Sequence, residues 1–176
     1  MNLIIRQEKD SDHQAVFDLI EKAFRMMEKS DHQEHFLVEK LRNSEAFVPE
    51  LSLVAEFGGK IIGHILLTKI KIISGDKSFD SLALAPVSVS PSVQKKGVGK
   101  ELMKAAHRKA KDLGYKSIVV VGHPEYYPKF GYEKLQKYSI ELPFEVPPEA
   151  AMIVEIAQNG LQGVSGKVEY AKEFYE

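Results

Sequence analysis

The chain has 176 residues, no cysteine, 44% hydrophobic and 28% charged residues, and a formal net charge of −1. That length is expected to form one globular domain over residues 1–176. The absence of cysteine excludes disulfides, thiolate metal sites and acyl-cysteine intermediates, and the near-neutral charge gives no reason to expect nucleic-acid binding. The first ten residues are charged too early for a secretory signal, and no apolar run reaches the ~18 residues of a membrane span.

In chain order, Leu3–Arg6 predicts a short strand. Asp10, Ser11 and Asp12 offer N-caps for a helix in which Val16, Leu19, Ile20 and Ala23 recur on one face. After a polar break from Glu28, a second helix is expected near Glu34–Arg42, with Leu37, Val38 and Leu41 aligned. Leu51–Phe57, Gly58-Gly59 and Lys60–Leu67 form a hairpin signature, because both glycines tolerate the positive φ of a tight turn. The second strand runs on toward Ile73, and Gly75-Asp76 turns the chain into a third antiparallel strand ending at Val89. Pro86 lies inside that strand, where it cannot donate to a ladder, so it belongs at an edge or a bulge.

The next segment carries the chemistry. Gln94, Gly97 and Gly99 spell Gln/Arg-x-x-Gly-x-Gly/Ala between a strand and a helix predicted over Val98–Leu113. Backbone N–H groups at such a junction, with the positive end of the helix dipole, suit a pyrophosphate. A Walker A loop is excluded, because Gly99-Lys100 is followed by Glu101 rather than Ser or Thr; a dinucleotide fingerprint fails because position 102 is Leu. An ordinary glycine turn entering a helix remains the plain alternative for the glycines alone. The helix places Val98, Leu102, Ala106, Ala110 and Leu113 inward and Lys100, Lys104, Arg108 and Lys111 outward, with Gly114 as its stop. A strand at Ser117–Val121 follows, and Met152–Ile156 reads as a late strand beyond the loop of Pro143, Pro147 and Pro148.

Together the loop, the strand Leu82–Val89 before it and the segment Pro124–Tyr132 after it resemble the GNAT superfamily of acyl-CoA N-acetyltransferases. Pro124–Tyr132 is similar to that family's Phe-Tyr-x-x-x-Gly-Phe element, with Tyr127 at the Tyr position. Gly122–Tyr132 and the tail Gly160–Tyr170 are similar to its YhbS-like branch. The resemblance implies an α+β fold of three layers (α/β/α). Its mixed, mainly antiparallel central sheet would have six to seven strands, splayed at the fourth and fifth to admit a pantetheine arm.

It further implies acetyl-CoA as co-substrate, no metal, and direct transfer of acetyl to a primary amine in a ternary complex. Backbone N–H groups of Val87, Ser88 and Val89 would face the thioester carbonyl. Gln94, Lys95, Lys96, Gly97, Val98, Gly99 and Lys100 would hold the pyrophosphate end of coenzyme A. Tyr127 would be the catalytic proton donor to the departing sulfur, since a phenol stays protonated at neutral pH; Tyr126 and Tyr127 could instead be packing aromatics. The strand Glu that some members use as base is replaced by Ala83, so a water chain or a residue outside the motif must serve, or the amine arrives neutral. His64, His123, Glu34 and Glu56 are candidates by residue type alone. His32 and His35 are spaced for one helical face, but no third ligand makes them a metal site.

The expected partner is a small-molecule or peptide amine, with no nucleic acid and no membrane, and the expected location is the cytoplasm, where acyl-CoA is found. A homodimer stays open. So do a non-catalytic acyl-CoA-binding or regulatory module and a transferase for a longer acyl group.

Overall fold

The computed structural model describes residues 2–176. Its frame is a sheet in the order β1-β2-β3-β4-β5-β8-β6, with β7 and β9 off this path. The hairpin glycines deliver what their sequence promises: Gly58 and Gly59 take φ of 57° and 78° and join β2 (Phe47–Phe57) to β3 (Lys60–Ser74). β1 (Ile4–Gln7) pairs antiparallel with β2, and β4 (Lys77–Val89) antiparallel with β3.

β5 (Ser117–Val121) then pairs parallel with β4, but only at Leu82↔Ile118 and Ala83↔Val119. Beyond that point β4 continues to Val89 without β5, so the sheet opens. The register of β3 against β4 also slips there, from Ile65↔Val87 to Leu67↔Leu84. Pro86 sits in that bulge, where no ladder N–H is asked of it. On the far side of β5, β8 (Ala151–Glu155) pairs antiparallel with both β5 and β6 (Glu133–Lys134).

Side-chain alternation assigns the two faces. On one, Leu51, Leu53, Ile65, Leu67 and Leu82 pack against Leu102, Met103 and Ala106 of α3 (Val98–Asp112). On the other, Val54 and Leu66 meet Val16 and Ile20 of α1 (His13–Phe24) and Val38 and Leu41 of α2 (Glu34–Arg42). Gly63 lets α3 approach closely: a Cβ there would lie 2.9 Å from Leu102 Cδ1 and 3.0 Å from Val98 Cγ1. This contact fixes the start of α3 beside the open end of β4.

The predicted helices and long strands appear within a few residues of their expected limits. One expectation is corrected: α3 ends at Asp112, and Leu113 is 39% exposed rather than part of the inner stripe. β6, β7 (Ile140–Glu141) and β9 (Gly166–Glu169) are additional short strands. β9 pairs with Lys71–Ile73 of β3. Among the described residues, no helix is long and apolar enough to cross a membrane.

Candidate active site

The opening between β4 and β5 is lined by backbone. Ser90 donates its N–H to Ile62 O across the β3 ladder at 2.8 Å. Alternation therefore turns Ser88 toward β3 as well, and turns the N–H groups of Val87 and Val89 to the other side, which β5 has left. Side chains follow the same logic. Val87 and Val89 pack on the α3 face, whereas Ser88 stands opposite His64 on the α1/α2 face.

From Val89 the chain makes a short 3-10 turn, Pro91–Val93, and reaches α3 through two left-handed residues, Lys95 at φ 66° and Gly97 at φ 86°. A lysine in that region is strained, as binding loops commonly are; Gly97 takes it without a Cβ penalty. Gly97 O accepts the N–H of Glu101 at 3.1 Å and so caps α3. The N–H groups of Val98, Gly99 and Lys100 lie in the first turn, where an α-helix supplies no acceptor. Gln94 Nε2 reaches back to Val89 O at 3.4 Å. Gln94, Lys95, Lys96 and Lys100 are exposed, while the Val98 side chain is buried against β3. The loop thus leaves its basic side chains in solvent and anchors itself with Val98 against the sheet.

Tyr127 begins the 3-10 turn Tyr127–Phe130 that follows β5. Its ring lies so close to Gly122 that a Cβ there would clash with Cε2. It makes edge contacts with Tyr126 and Tyr132 at centroid distances of 5.1 and 5.6 Å. Burial, reinforced by Tyr126, raises its pKa above the ordinary phenol value. Tyr132 is committed elsewhere, its hydroxyl 2.9 Å from His107 Nε2. The sequence does not single out Tyr126 for a role, yet its hydroxyl would lie 2.8 Å from a Cβ at Gly99. It therefore roofs the loop. With His123, Glu125 and Lys129 it borders a depression of about 470 Å³.

The base candidates separate clearly. Ala83 is buried and paired with Val119, so the strand offers no carboxylate there. Glu56 accepts from Arg6 at 3.1 Å, and Glu34 accepts from Ser30 Oγ at 2.5 Å. His123 is exposed. His35 packs edge-on against Phe17 at 4.7 Å, while His32 is exposed with a φ of 59°. His64 is fully buried across the ladder from Ser88. A larger cavity of about 870 Å³ involves Lys71, Asp80, Ser81 and Tyr115, toward the other end of β4.

Comparisons with known proteins agree with this geometry. The family model for the acetyltransferase (GNAT) domain matches residues 4–135. Over 140 residues the chain is 31% identical to the uncharacterized N-acetyltransferase YjhQ of Escherichia coli K12, covering 79% of this chain and 75% of that protein. Over 173 residues it is 27% identical to the uncharacterized N-acetyltransferase YhbS of the same strain, covering 98% of each. Among solved structures, E. coli YhbS in complex with CoA superposes with a TM-score of 0.88 at 24% identity, covering 99% of this chain and 92% of that one. A GNAT family acetyltransferase from Brucella melitensis in complex with acetyl-CoA gives 0.79 at 26% identity, covering 98% of both chains. The chain belongs to the GNAT family of N-acetyltransferases.

Proposed function

We propose that residues 1–176 act as one domain that transfers acetyl from acetyl-CoA to a primary amine by direct attack in a ternary complex. The observation that carries this reading is the parting of β4 from β5 after Ala83↔Val119, with two outward amides on one wall and the α3 amides at its mouth. That shape suits a long thioester arm ending in a pyrophosphate. The complexes of the two structural relatives with CoA and acetyl-CoA support the donor.

In this reading the N–H groups of residues 95–100 receive the pyrophosphate, helped by Lys95, Lys96 and Lys100. The Val87 and Val89 amides donate to the carbonyl oxygen as charge builds on it; being fixed beforehand, they need little reorganisation. Tyr127 donates to the departing sulfur. Because burial raises its pKa, complete transfer of its proton is uphill, and its hydroxyl acts chiefly by hydrogen-bonding the developing thiolate. Bond making to nitrogen and bond breaking to sulfur leave one proton to remove from the amine and one for the thiol to acquire. Acyl-CoA supply makes the cytoplasm the working compartment.

Buried Ala83 in place of a carboxylate favours one other reading, an acyl-CoA-binding module without turnover. Thermal shift with acetyl-CoA, a longer acyl-CoA and free CoA tests the donor. Thiol release with butylamine, spermidine, kanamycin, and peptides bearing a free N-terminus or a lysine tests the transfer. We expect stabilisation by acetyl-CoA and acetylation of at least one amine, with Tyr127→Phe lowering kcat by about a hundredfold at similar donor affinity. Binding without any turnover would favour the module; absence of binding to every CoA species would overturn both readings.

A further inference from the structure

Away from the donor cleft, four polar side chains from separate segments meet on the α1/α2 face. Glu8 and Arg42 side chains are 2% and 9% exposed, and Ser52 and His64 are 1% and 0% exposed. Arg42 Nε and Nη2 donate to the two Glu8 oxygens at 3.0 and 2.6 Å, and Ser52 Oγ donates to Glu8 Oε1 at 3.0 Å. Desolvation works to raise Glu8, but the Arg42 hydrogen bonds and the surrounding charges prevail and hold it below the usual carboxylate range. An ionised carboxylate only accepts, so the single Ser52 proton goes to Glu8. The 3.0 Å contact between Ser52 Oγ and His64 Nε2 then requires the imidazole proton on Nε2. His64 Nδ1 is left as an unprotonated acceptor, and it is buried with no hydrogen-bond partner among the described residues.

Ser88 is the residue directly opposite His64 in the ladder, and its buried Oγ is likewise without a partner among the described residues. Opposed residues of an antiparallel pair hold their Cβ atoms about 4.5–5.5 Å apart, close enough for one water to join the two groups. Ser88 also lies between Val87 and Val89, whose amides line the cleft. An unsatisfied base and an unsatisfied hydroxyl therefore stand opposite each other, on the stretch of β4 whose Val87 and Val89 amides line the cleft. They occupy the sheet face opposite α3 and its loop, the face on which α1 and α2 pack.

We propose that Ser88 and His64 form a proton relay serving the acetyl transfer inferred above, on which this assignment rests, in place of the carboxylate that Ala83 cannot provide. As the C–N bond forms and the C–S bond breaks, the amine proton passes through water to Ser88 Oγ. The Ser88 proton moves in concert, across one bridging water, to His64 Nδ1. The imidazolium keeps its Nε2 proton on Ser52 and lies 3.7 Å from Glu8 Oε2, whose charge stabilises it. The relay resets by releasing the proton to solvent, and the thiol acquires its own proton from solvent by way of Tyr127.

The titratable and charged groups around His64 are Glu8 after β1, Arg42 on α2 and His13 on α1, whose Nε2 is 3.7 Å from Glu8 Oε1. Burial above all, with Arg42 and His13, lowers His64 to about 4 against the opposing pull of Glu8. Nδ1 is thus free to accept throughout the neutral range, and it holds a transferred proton only briefly. His64 is a positioning residue in this scheme, acting through Ser88.

The test uses His64→Gln, which keeps an atom near the Ser52 contact but loses the Nδ1 acceptor, and Ser88→Ala, which removes the hydroxyl with little change in volume. With the fastest amine of the panel above, each is expected to lower kcat about a hundredfold, and the double variant hardly further, at unchanged acetyl-CoA Kd. Nitrogen-15 NMR of the wild type should show Nε2 protonated and Nδ1 bare at neutral pH. A kcat within about threefold of wild type in either variant, multiplying losses in the double, or a proton on Nδ1 would overturn the relay while leaving acetyl transfer intact. A wild type that binds no acetyl-CoA or acetylates no amine would overturn the transfer reading and the relay together.

Discussion

The two sides of the sheet near β4 are built from opposite materials. The proposed donor side, from Val87 through the first turn of α3, offers mainly main-chain amides, and most of its loop residues are exposed. The α1/α2 side is closed by side chains: Glu8, Arg42, Ser52 and His64 form a buried, charged network. A site made from backbone needs particular φ values and little else, so its local sequence is constrained. A site made from side chains brought from distant segments needs an intact fold around it. The first should lose ligand affinity when altered without losing the fold, and the second should do the reverse.

Arg42→Met is the severest test of this division. It strands the Glu8 carboxylate, whose side chain is 2% exposed. Removing one partner of a buried pair typically costs about 3–5 kcal/mol. Urea unfolding should show that loss, while acetyl-CoA Kd measured on the folded fraction should change by less than about twofold. Adding Glu8→Gln should restore part of the stability, because the orphaned charge is then gone. A large loss of donor affinity in Arg42→Met would merge the two sides into one functional unit.

Acid should strike both sides, but unequally. Burial lowers His64 and His107 from their ordinary 6.5 to about 4. The unfolded chain therefore binds protons first, and stability present above about pH 6.5 is lost as pH falls toward about 4. For fully buried His64 that loss is on the order of 3 kcal/mol, and for the partly exposed His107 it is smaller. Asp12 acts lower down: hydrogen bonds from Arg6, above all, hold it at about 2 against an ordinary 3.8. Its contribution is present above about 3.8 and disappears only as pH drops through about 2. Denaturant midpoints measured across this range should fall in the upper window, and His64→Gln should flatten that fall more than His107→Gln.

The same contrast explains what can be read from the chain. Gly58-Gly59, the Gly97 turn, Pro86 and the α3 stripe each reflect a local requirement, and the structure meets each one except at Leu113, which lies past the end of α3 and is exposed. The short strands β6, β7 and β9 are too brief to carry a period. β9, for instance, exists because Gly166–Glu169 meets Lys71–Ile73 far earlier in the chain. The Glu8–Arg42–Ser52–His64 network leaves no trace for the same reason: its members have no common local pattern. His64 stands out only as a histidine in an apolar strand, and the register that sets it against Ser88 emerges from strand pairing. Tyr126 is adjacent to the recognisable Tyr127, but its place over Gly99 depends on how the turn after β5 folds back.

Gly97→Asp probes the donor side directly. At φ 86° any side chain is strained, by roughly 1 kcal/mol, and a carboxylate beside the amides proposed to hold the pyrophosphate would repel the ligand. Calorimetry should show acetyl-CoA binding weakened at least about tenfold, with a stability loss well below that of Arg42→Met. Equal affinity would refute the phosphate role of this loop.

The smallest expected effect is the sharpest test of whether backbone alone makes the donor side. A Cβ at Gly99 would stand 2.8 Å from the Tyr126 hydroxyl and 3.7 Å from Val89 Cγ2. The ring behind that hydroxyl is held at centroid distances of 5.1 Å from Tyr127 and 5.3 Å from Phe130. It cannot swing without disturbing the ring proposed to serve the leaving sulfur. Gly99→Ala should therefore weaken acetyl-CoA binding by about threefold, or about 0.6 kcal/mol, because the hydroxyl must shift by a few tenths of an ångström. In a Tyr126→Phe background the clash is absent, and Gly99→Ala should have no measurable effect on Kd. A matching cost in both backgrounds would mean that the Tyr126 hydroxyl is not what keeps position 99 bare. The glycine would then be required by approach of the ligand to the backbone itself, and the donor side would owe its affinity to main chain and lysines alone.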